Sequence, residues 1–221
     1  MRFDDVFKYL PLLLQGTKIT IQLTVVAVGC GTVIGLFVSL MRLSRFRLLS
    51  LIARCYTDFF RGTPLLTQIL LFYYGIPQIL GLNSFPAYFS ASITLSLNSG
   101  AYIAEIFRAG IQSIHKGQME AARSLGMTYG QAMRYIILPQ AFKRSIPPLG
   151  NEFIAMLKDS SLVSVISMPE LMMSGKIIVG REFNAFETFI VVALIYLIMT
   201  TAISQFVSYL ERMFGKHDHG E

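Results

Sequence analysis

Charge is scarce in this sequence. Only 14% of its 221 residues are Asp, Glu, Lys or Arg, against 53% hydrophobic residues and a mean hydropathy of +0.56. A soluble domain carries about 25% charge, so the deficit argues against both a freely soluble globular protein and a disordered one. Cysteine is nearly missing. Cys30 and Cys55 have no metal spacing, and Cys30 sits inside an apolar run, so neither a disulfide framework nor a metal site is expected. No cleavable leader is expected either, because Arg2, Asp4, Asp5, Lys8 and Lys18 form an amphipathic mixture without a small-residue cleavage site. The net charge of +6 would suit nucleic acid, but its placement assigns it to loops at one membrane face.

Three stretches lack charge altogether. Ile19 to Met41 is 23 residues long, the gap between Arg61 and Glu105 is 43, and the gap between Glu187 and Glu211 is 23. A bilayer core takes about 20 apolar residues per helix. Each shorter run fits one span. The long one fits two, hinged at Gly75-Ile76-Pro77 and again across residues 81–86, where turn residues cluster. A fifth span is expected over about Ser145 to Met168, although Glu152, Lys158 and Asp159 interrupt it and neighbours must shield them. The expected fold is therefore an all-α integral membrane protein with five transmembrane helices, one domain spanning residues 1–221.

Loop charge gives orientation. The first loop holds Arg42, Arg45 and Arg47 with no acid, and the stretch from Arg108 to Arg144 holds six Lys or Arg against Glu120 alone. By the positive-inside rule both are cytoplasmic. Five spans then place the N-terminus outside and the tail from Arg212 inside.

The third loop carries a pattern. Met119 to Leu125 is helix-prone, Gly126 can take the left-handed conformation that ends a helix, and a second short helical piece from Ala132 is expected to stop at Pro139. The spacing Glu120-Ala121-Ala122, then Gly126, then Ile136 to Pro139 resembles the EAA loop of ATP-binding-cassette (ABC) importer permeases. Arg61-Gly62-Thr63-Pro64-Leu65, Ala101-Tyr102-Ile103-Ala104-Glu105 and Lys158-Asp159-Ser160-Ser161-Leu162 add to it. Together, over residues 15 to 210, they resemble the polar amino-acid (histidine, arginine, glutamine) subfamily. The resemblance implies a type I importer permease fold with a coupling loop at about 112–140, a second permease subunit in a homodimer or heterodimer, and an extracytoplasmic solute-binding protein. It also implies two ATPase subunits that hold the ATP and Mg, leaving this chain without a cofactor of its own. Glu120, Ala121, Ala122, Arg123 and Gly126 would form the joint to the ATPase, with Ala121 and Ala122 small because a cleft wall is close. The P-loop pattern G-x-x-x-x-G-K-[ST] occurs nowhere in the chain, so hydrolysis is expected on another polypeptide and this chain is not itself an enzyme.

Polar groups inside apolar helices mark the candidate substrate site. Glu152 and Asp159 lie seven residues apart, nearly two turns, and so project from one face about 10 Å apart. Lys158 is about 100° round from Asp159 and cannot neutralise both. Two such acids would attract a basic amino acid, one taking its side chain and the other its α-ammonium, with Asn98 hydrogen-bonding either. Asp159-Ser160-Ser161 loosens a helix, and a break there, next to Leu162, would offer backbone N–H groups to a carboxylate; Pro147-Pro148 adds irregularity. The bland reading pairs both acids with Arg or Lys elsewhere. Glu105 and Arg108 suit a local ion pair, Arg54, Asp58 and Arg61 a structural ion stripe, and Ser167 to Glu170 a capping box. An ion-coupled secondary transporter or channel with Glu152 and Asp159 as cation sites is the alternative, and it has no use for an EAA loop. An intramembrane enzyme finds little support, since His115, His217 and His219 lie in loops or the tail, where His217-Asp218-His219 suits a frayed terminus better than a metal.

Overall fold

Lipid offers no water to backbone amides, so apolar runs must close their own hydrogen bonds. In the computed structural model, which describes residue 6 and residues 8–215, they do so as helices, with no strand among the described residues. The N-terminal residues that bear on a leader, and the His217-Asp218-His219 tail, lie outside the described residues.

Among the described residues the helices from Leu10 onward are, in order, α1 (Leu10–Leu43), α2 (Arg47–Gly62), α3 (Leu65–Ile79), α4 (Ala87–Gln112), α5 (Lys116–Ser124), α6 (Tyr129–Ile166), α7 (Leu171–Glu182) and α8 (Ala185–Gly215). Among the described residues, α1 and α8 are each long and apolar enough to cross a membrane, and α6 with α7, bent by 49° between them, forms a third candidate. The 26 residues of α4 would reach about 39 Å, but its Ser, Thr and Asn content lowers its hydropathy. Two of those hydroxyls are spent within the helix: Thr94 donates to the Ser90 carbonyl and Ser96 to that of Ser92, as Thr24 on α1 donates to that of Thr20.

α1 and α4 form the central pair, and small residues bring them together. At Gly31 an added Cβ would stand 3.0 Å from the Gly100 amide nitrogen, and at Gly35 2.9 Å from that of Ala104. Leu23 and Ala27 of α1, Ile69 of α3, Ala91 and Leu95 of α4, and Met156 and Val163 of α6 make the main core. A second cluster joins Leu13 of α1 to Leu171 and Ile178 of α7 and Val192 of α8. The flank of α8 carrying Leu194, Leu197 and Ile198 stays exposed, as lipid or a neighbouring subunit requires.

Two local expectations need correction. The chain does not hinge at Gly75-Ile76-Pro77: α3 widens into a π turn at Leu71–Gly75 and runs through Pro77, turning only at Gly81, where φ is +73°. Nor does Pro139 stop the second loop helix. A second π turn, Met133–Ile137, precedes it, and α6 continues to Ile166. In both places the N–H of the residue just before the proline bonds five residues back, Ile76 to Leu71 and Leu138 to Met133. The wider turn keeps the proline ring off the carbonyl it would strike in an α-helix. Pro147 and Pro148 also lie within α6 without ending it, since proline's φ is already helical and the carbonyls left unbonded belong to Lys143 and Arg144 at the polar end.

The α1–α4 seam gives a direct test. Gly35→Ala is expected to lower thermal stability in detergent by about 1–3 kcal/mol, because the new methyl meets backbone. Gly29→Ala on the same helix, where a Cβ meets nothing within 4 Å, is expected to be neutral or stabilising by up to ~1 kcal/mol. Equal behaviour of the two variants would remove close approach as the basis of the pair.

Candidate functional site

The long helix α6 carries the acid that stands out. Glu152 is buried, 9% exposed, and points at α4, where Ser99 Oγ donates to its Oε1 at 3.0 Å. Among the described residues no cation pairs with it. Gly31 makes room for this contact, because a Cβ there would lie 3.1 Å from Ser99 Oγ. One neutral hydroxyl does not balance a carboxylate shielded from water, so the α4–α6 seam holds a group that wants a positive partner.

The other five candidate residues do not converge on Glu152 within this chain. Asp159 ends the α-helical part of α6 and is exposed. From Ser160 to Ile166 the helix tightens to 3-10 geometry, so the expected loosening occurs here as a tightening, and the chain leaves the helix at Ser167, φ +58°. At about 120° per residue the tighter turn re-aims each side chain. Ser160 is fully buried and donates to the Leu157 carbonyl at 2.7 Å, and Leu162 packs on the main core. Ser161, with Lys158, lines a cavity of about 580 Å³ closed by Met172, Phe189, Val192 and Tyr196. Asn98 is committed elsewhere. Its Nδ2 donates to Gln68 Oε1 at 2.9 Å and to the Phe60 carbonyl at 3.2 Å, and Gln68 Nε2 binds the Phe60 and Thr63 carbonyls. Asn98 thus pins the Arg61–Pro64 turn between α2 and α3 and has no amide hydrogen aimed at Glu152.

Glu105 holds the opposite end of α4. Arg108 Nη2 lies 2.7 Å from Oε2, as the i,i+3 spacing predicts, but Arg42 of α1 is equally close to Oε1 and Arg61 of α2 stands 3.8 Å off. Arg42 also donates to Thr57 Oγ1. The expected Arg54–Asp58–Arg61 stripe is not formed: Arg54 and Asp58 are exposed, and Arg61 turns to Glu105 and the Tyr102 ring. The reason is reach, since Glu105 of α4 offers Arg61 a half-buried partner, whereas Asp58 on α2's own face is exposed.

The first part of the loop between α4 and α6 takes the predicted shape. His115 Nδ1 caps α5 by accepting from the Gly117 N–H. Gly126, φ +85°, closes it in a Schellman turn, with Gly126 N–H bonded to the Arg123 carbonyl and Met127 N–H to that of Ala122. Glu120, Ala121, Arg123 and Gly126 are exposed, and Leu125 is 84% exposed. Ala122, however, is 5% exposed. Its small side chain faces its own loop, so only Ala121 is left to meet a cleft wall.

Glu170, expected as the last residue of a capping box led by Ser167, has a different role. It is fully buried and itself caps α7, accepting from Met172 and Met173 N–H at 2.8 and 2.7 Å and from Tyr196 Oη at 3.1 Å. Ser167 is not the cap, because it sits in the left-handed region three residues earlier. The Met-Pro-Glu run before an apolar stretch was the available signal, and it places the cap three residues later than the expected capping box. Removing the charge from Glu105 tests the inner cluster. Glu105→Gln leaves three guanidinium groups facing one another and is expected to cost about 3 kcal/mol in thermal unfolding of the purified protein. Adding Arg42→Gln should restore part of that loss, and no loss in the single variant would show the cluster to be incidental.

These arrangements match known proteins over nearly the whole chain. Residues 31–216 fit the family described as binding-protein-dependent transport system inner membrane component. The chain is 44% identical over 207 residues to the probable amino-acid ABC transporter permease protein YckA of Bacillus subtilis (strain 168), covering 94% of this chain and 91% of that one. It is 38% identical to the arginine transport system permease protein ArtQ of the same organism (98% of each chain) and 38% identical to the glutamine transport system permease protein GlnP of Escherichia coli (strain K12), with 96% and 98% covered. A solved structure titled as an amino acid ABC transporter with histidines superposes with a TM-score of 0.92 at 47% identity, over 96% of this chain and 99% of that one. The MetNI methionine ABC transporter, at 21% identity and a TM-score of 0.80, shares the fold over 94% of this chain and 98% of that one. With the type I importer fold and the amino-acid relatives both in place, the chain belongs to the binding-protein-dependent transport system inner membrane component family, as the membrane-embedded permease subunit of an amino-acid ABC importer.

Proposed function

We propose that this permease carries polar, basic amino acids and that Glu152 is its principal substrate contact. The observation that carries the reading is the buried Glu152 carboxylate with Ser99 as its one hydrogen-bond donor. An α-ammonium supplies the missing charge, and every amino acid has one. Asp159, exposed 7 residues further along α6, then suits the positive side chain of Arg, Lys or protonated His, with Ser161 beside it. Relatives named for arginine and a structure titled with histidines support a basic solute, while relatives named for glutamine fit the shared α-ammonium.

The chain crosses the membrane five times on this reading, by α1, α2–α3, α4, α6 and α8, with its N-terminus outside and its C-terminus in the cytoplasm. α5 and the Gly126 elbow dock on a separate ATPase subunit that holds ATP and Mg, through Glu120, Ala121, Arg123 and the exposed Leu125. A second permease completes the pathway, and a solute-binding protein delivers the amino acid.

Two experiments check this. In the reconstituted complex, uptake of labelled arginine and lysine is expected to fall at least about tenfold in Glu152→Gln, with Asp159→Asn discriminating against basic solutes more than against glutamine; unchanged uptake in both variants would end the carboxylate reading. Gly126→Val forces a β-branched residue into φ +85°. It is expected to leave the permease in the membrane yet abolish solute-stimulated ATP turnover, and normal turnover would refute the elbow's role.

A further inference from the structure

The turn between α1 and α2 holds a feature that solute transport does not use. Arg47, Ser50, Leu51 and Arg54 recur at i, i+3, i+4 and i+7, so they share one face of α2. With Ser44 and Arg45 from the preceding turn, they line a single concavity of about 410 Å³. No acid lines it, and among the described residues none of the three arginines has an ion-pair partner. This contrasts with Arg42, Arg61 and Arg108, all drawn to Glu105. Three uncompensated guanidinium groups in one hollow repel one another and supply forked donors suited to phosphate.

Around the hollow the surface changes character. Phe46 is 74% exposed, Leu48 70%, Leu51 57% and Ile52 51%. A free anion or nucleotide would leave these side chains in water. A molecule with a phosphate at one end and acyl chains beside it satisfies both halves at once. The loop is also the basic one that charge bias places on the cytoplasmic side, where anionic lipid concentrates basic segments.

We infer that the α1–α2 turn is a binding site for the headgroup phosphate of an anionic glycerophospholipid, held by Arg45, Arg47 and Arg54 with the Ser44 and Ser50 hydroxyls, its acyl chains lying along Phe46, Leu48, Leu51 and Ile52. The bound lipid fixes the start of α2, whose far end carries Arg61 into the Glu105 cluster. The site is independent of substrate identity.

The test uses the whole complex in nanodiscs of phosphatidylcholine with or without phosphatidylglycerol, read by native mass spectrometry of retained lipid and by thermal unfolding. Wild type is expected to retain phosphatidylglycerol and to unfold at higher temperature in its presence. The triple variant Arg45→Gln/Arg47→Gln/Arg54→Gln should retain at least about tenfold less and lose the thermal shift. Arg54→Gln alone, the smallest change, should show an intermediate loss if the triple variant proves unstable. Equal retention by wild type and variants, or equal retention of both lipids, would overturn the site. Displacement of the lipid by millimolar inorganic phosphate would make it a free-anion site. Lipid retention unchanged while ATPase association is lost would make it a protein-docking surface, and either result refutes the proposal.

Discussion

A carboxylate that cannot leave its helix holds this bundle together at one end. Glu105 on α4 draws Arg42 from the end of α1 and Arg108 from its own helix, with Arg61 from the end of α2 further off. Exposed pairs of this kind contribute little, but here the Glu105 side chain is only 15% exposed. Two of the three helices it joins frame the Ser99 hydroxyl, α4 by carrying it and α1 through Gly31, and α6 brings Glu152 to it. Above the ion cluster, Gly31 and Gly35 let the α1 and α4 backbones meet, and Asn98 with Gln68 fixes where α3 leaves α2. Charge sets the register at one end, close packing along the middle, and a buried amide network the turn between α2 and α3.

Within that frame the useful distinction is between polar side chains that the fold commits to charged or backbone partners and a buried carboxylate that receives one neutral hydroxyl. Asn98, Ser160, Glu105 and Glu170 look alike in sequence to Glu152, since each is a polar residue inside an apolar stretch. The fold gives Asn98 two acceptors, Ser160 a carbonyl, Glu105 its arginines, and Glu170 two amides and a tyrosine. Glu152 receives one hydroxyl. A transport site needs this deficit, because a group already paired inside the protein gains nothing from a passing solute.

How much of this was legible in the sequence follows from the range of the interactions. Charge-free runs mark where helices must lie, because burying a charge in lipid is costly, and α1, α4 and α8 fall on them. Gly126 was readable because a left-handed turn depends on one residue and its immediate neighbours, and the i,i+3 pair of Glu105 with Arg108 for the same reason. Arg42 reaching Glu105 was not readable, since 63 residues separate them. Neither was the inward face of Ala122, which depends on how the loop folds back. The prolines misled for a different reason. Pro77 and Pro139 read as helix ends under local rules, and the π turns ahead of them, which need no special residue, removed the clash on which those rules rest.

The same π turn bears on how a motion at the α5 loop reaches the proposed substrate contact. If Pro139 had ended a helix, the loop and the span carrying Glu152 would be separate bodies joined by a flexible hinge, and movement of one would be absorbed at the joint. Instead α6 runs unbroken from Tyr129, three residues past the Gly126 elbow, to Ile166. From Tyr129 to Glu152 is about 35 Å of continuous helix. A helix of that length transmits tilt rather than dissipating it, and its softest place, the π turn at Met133–Ile137, lies at the loop end rather than beside the acid. On the proposed coupling, a push on α5 is therefore delivered to the Glu152–Ser99 seam as a change in how α6 crosses α4. A 3.0 Å hydrogen bond to a single serine is the kind of contact that such a change in crossing makes or breaks.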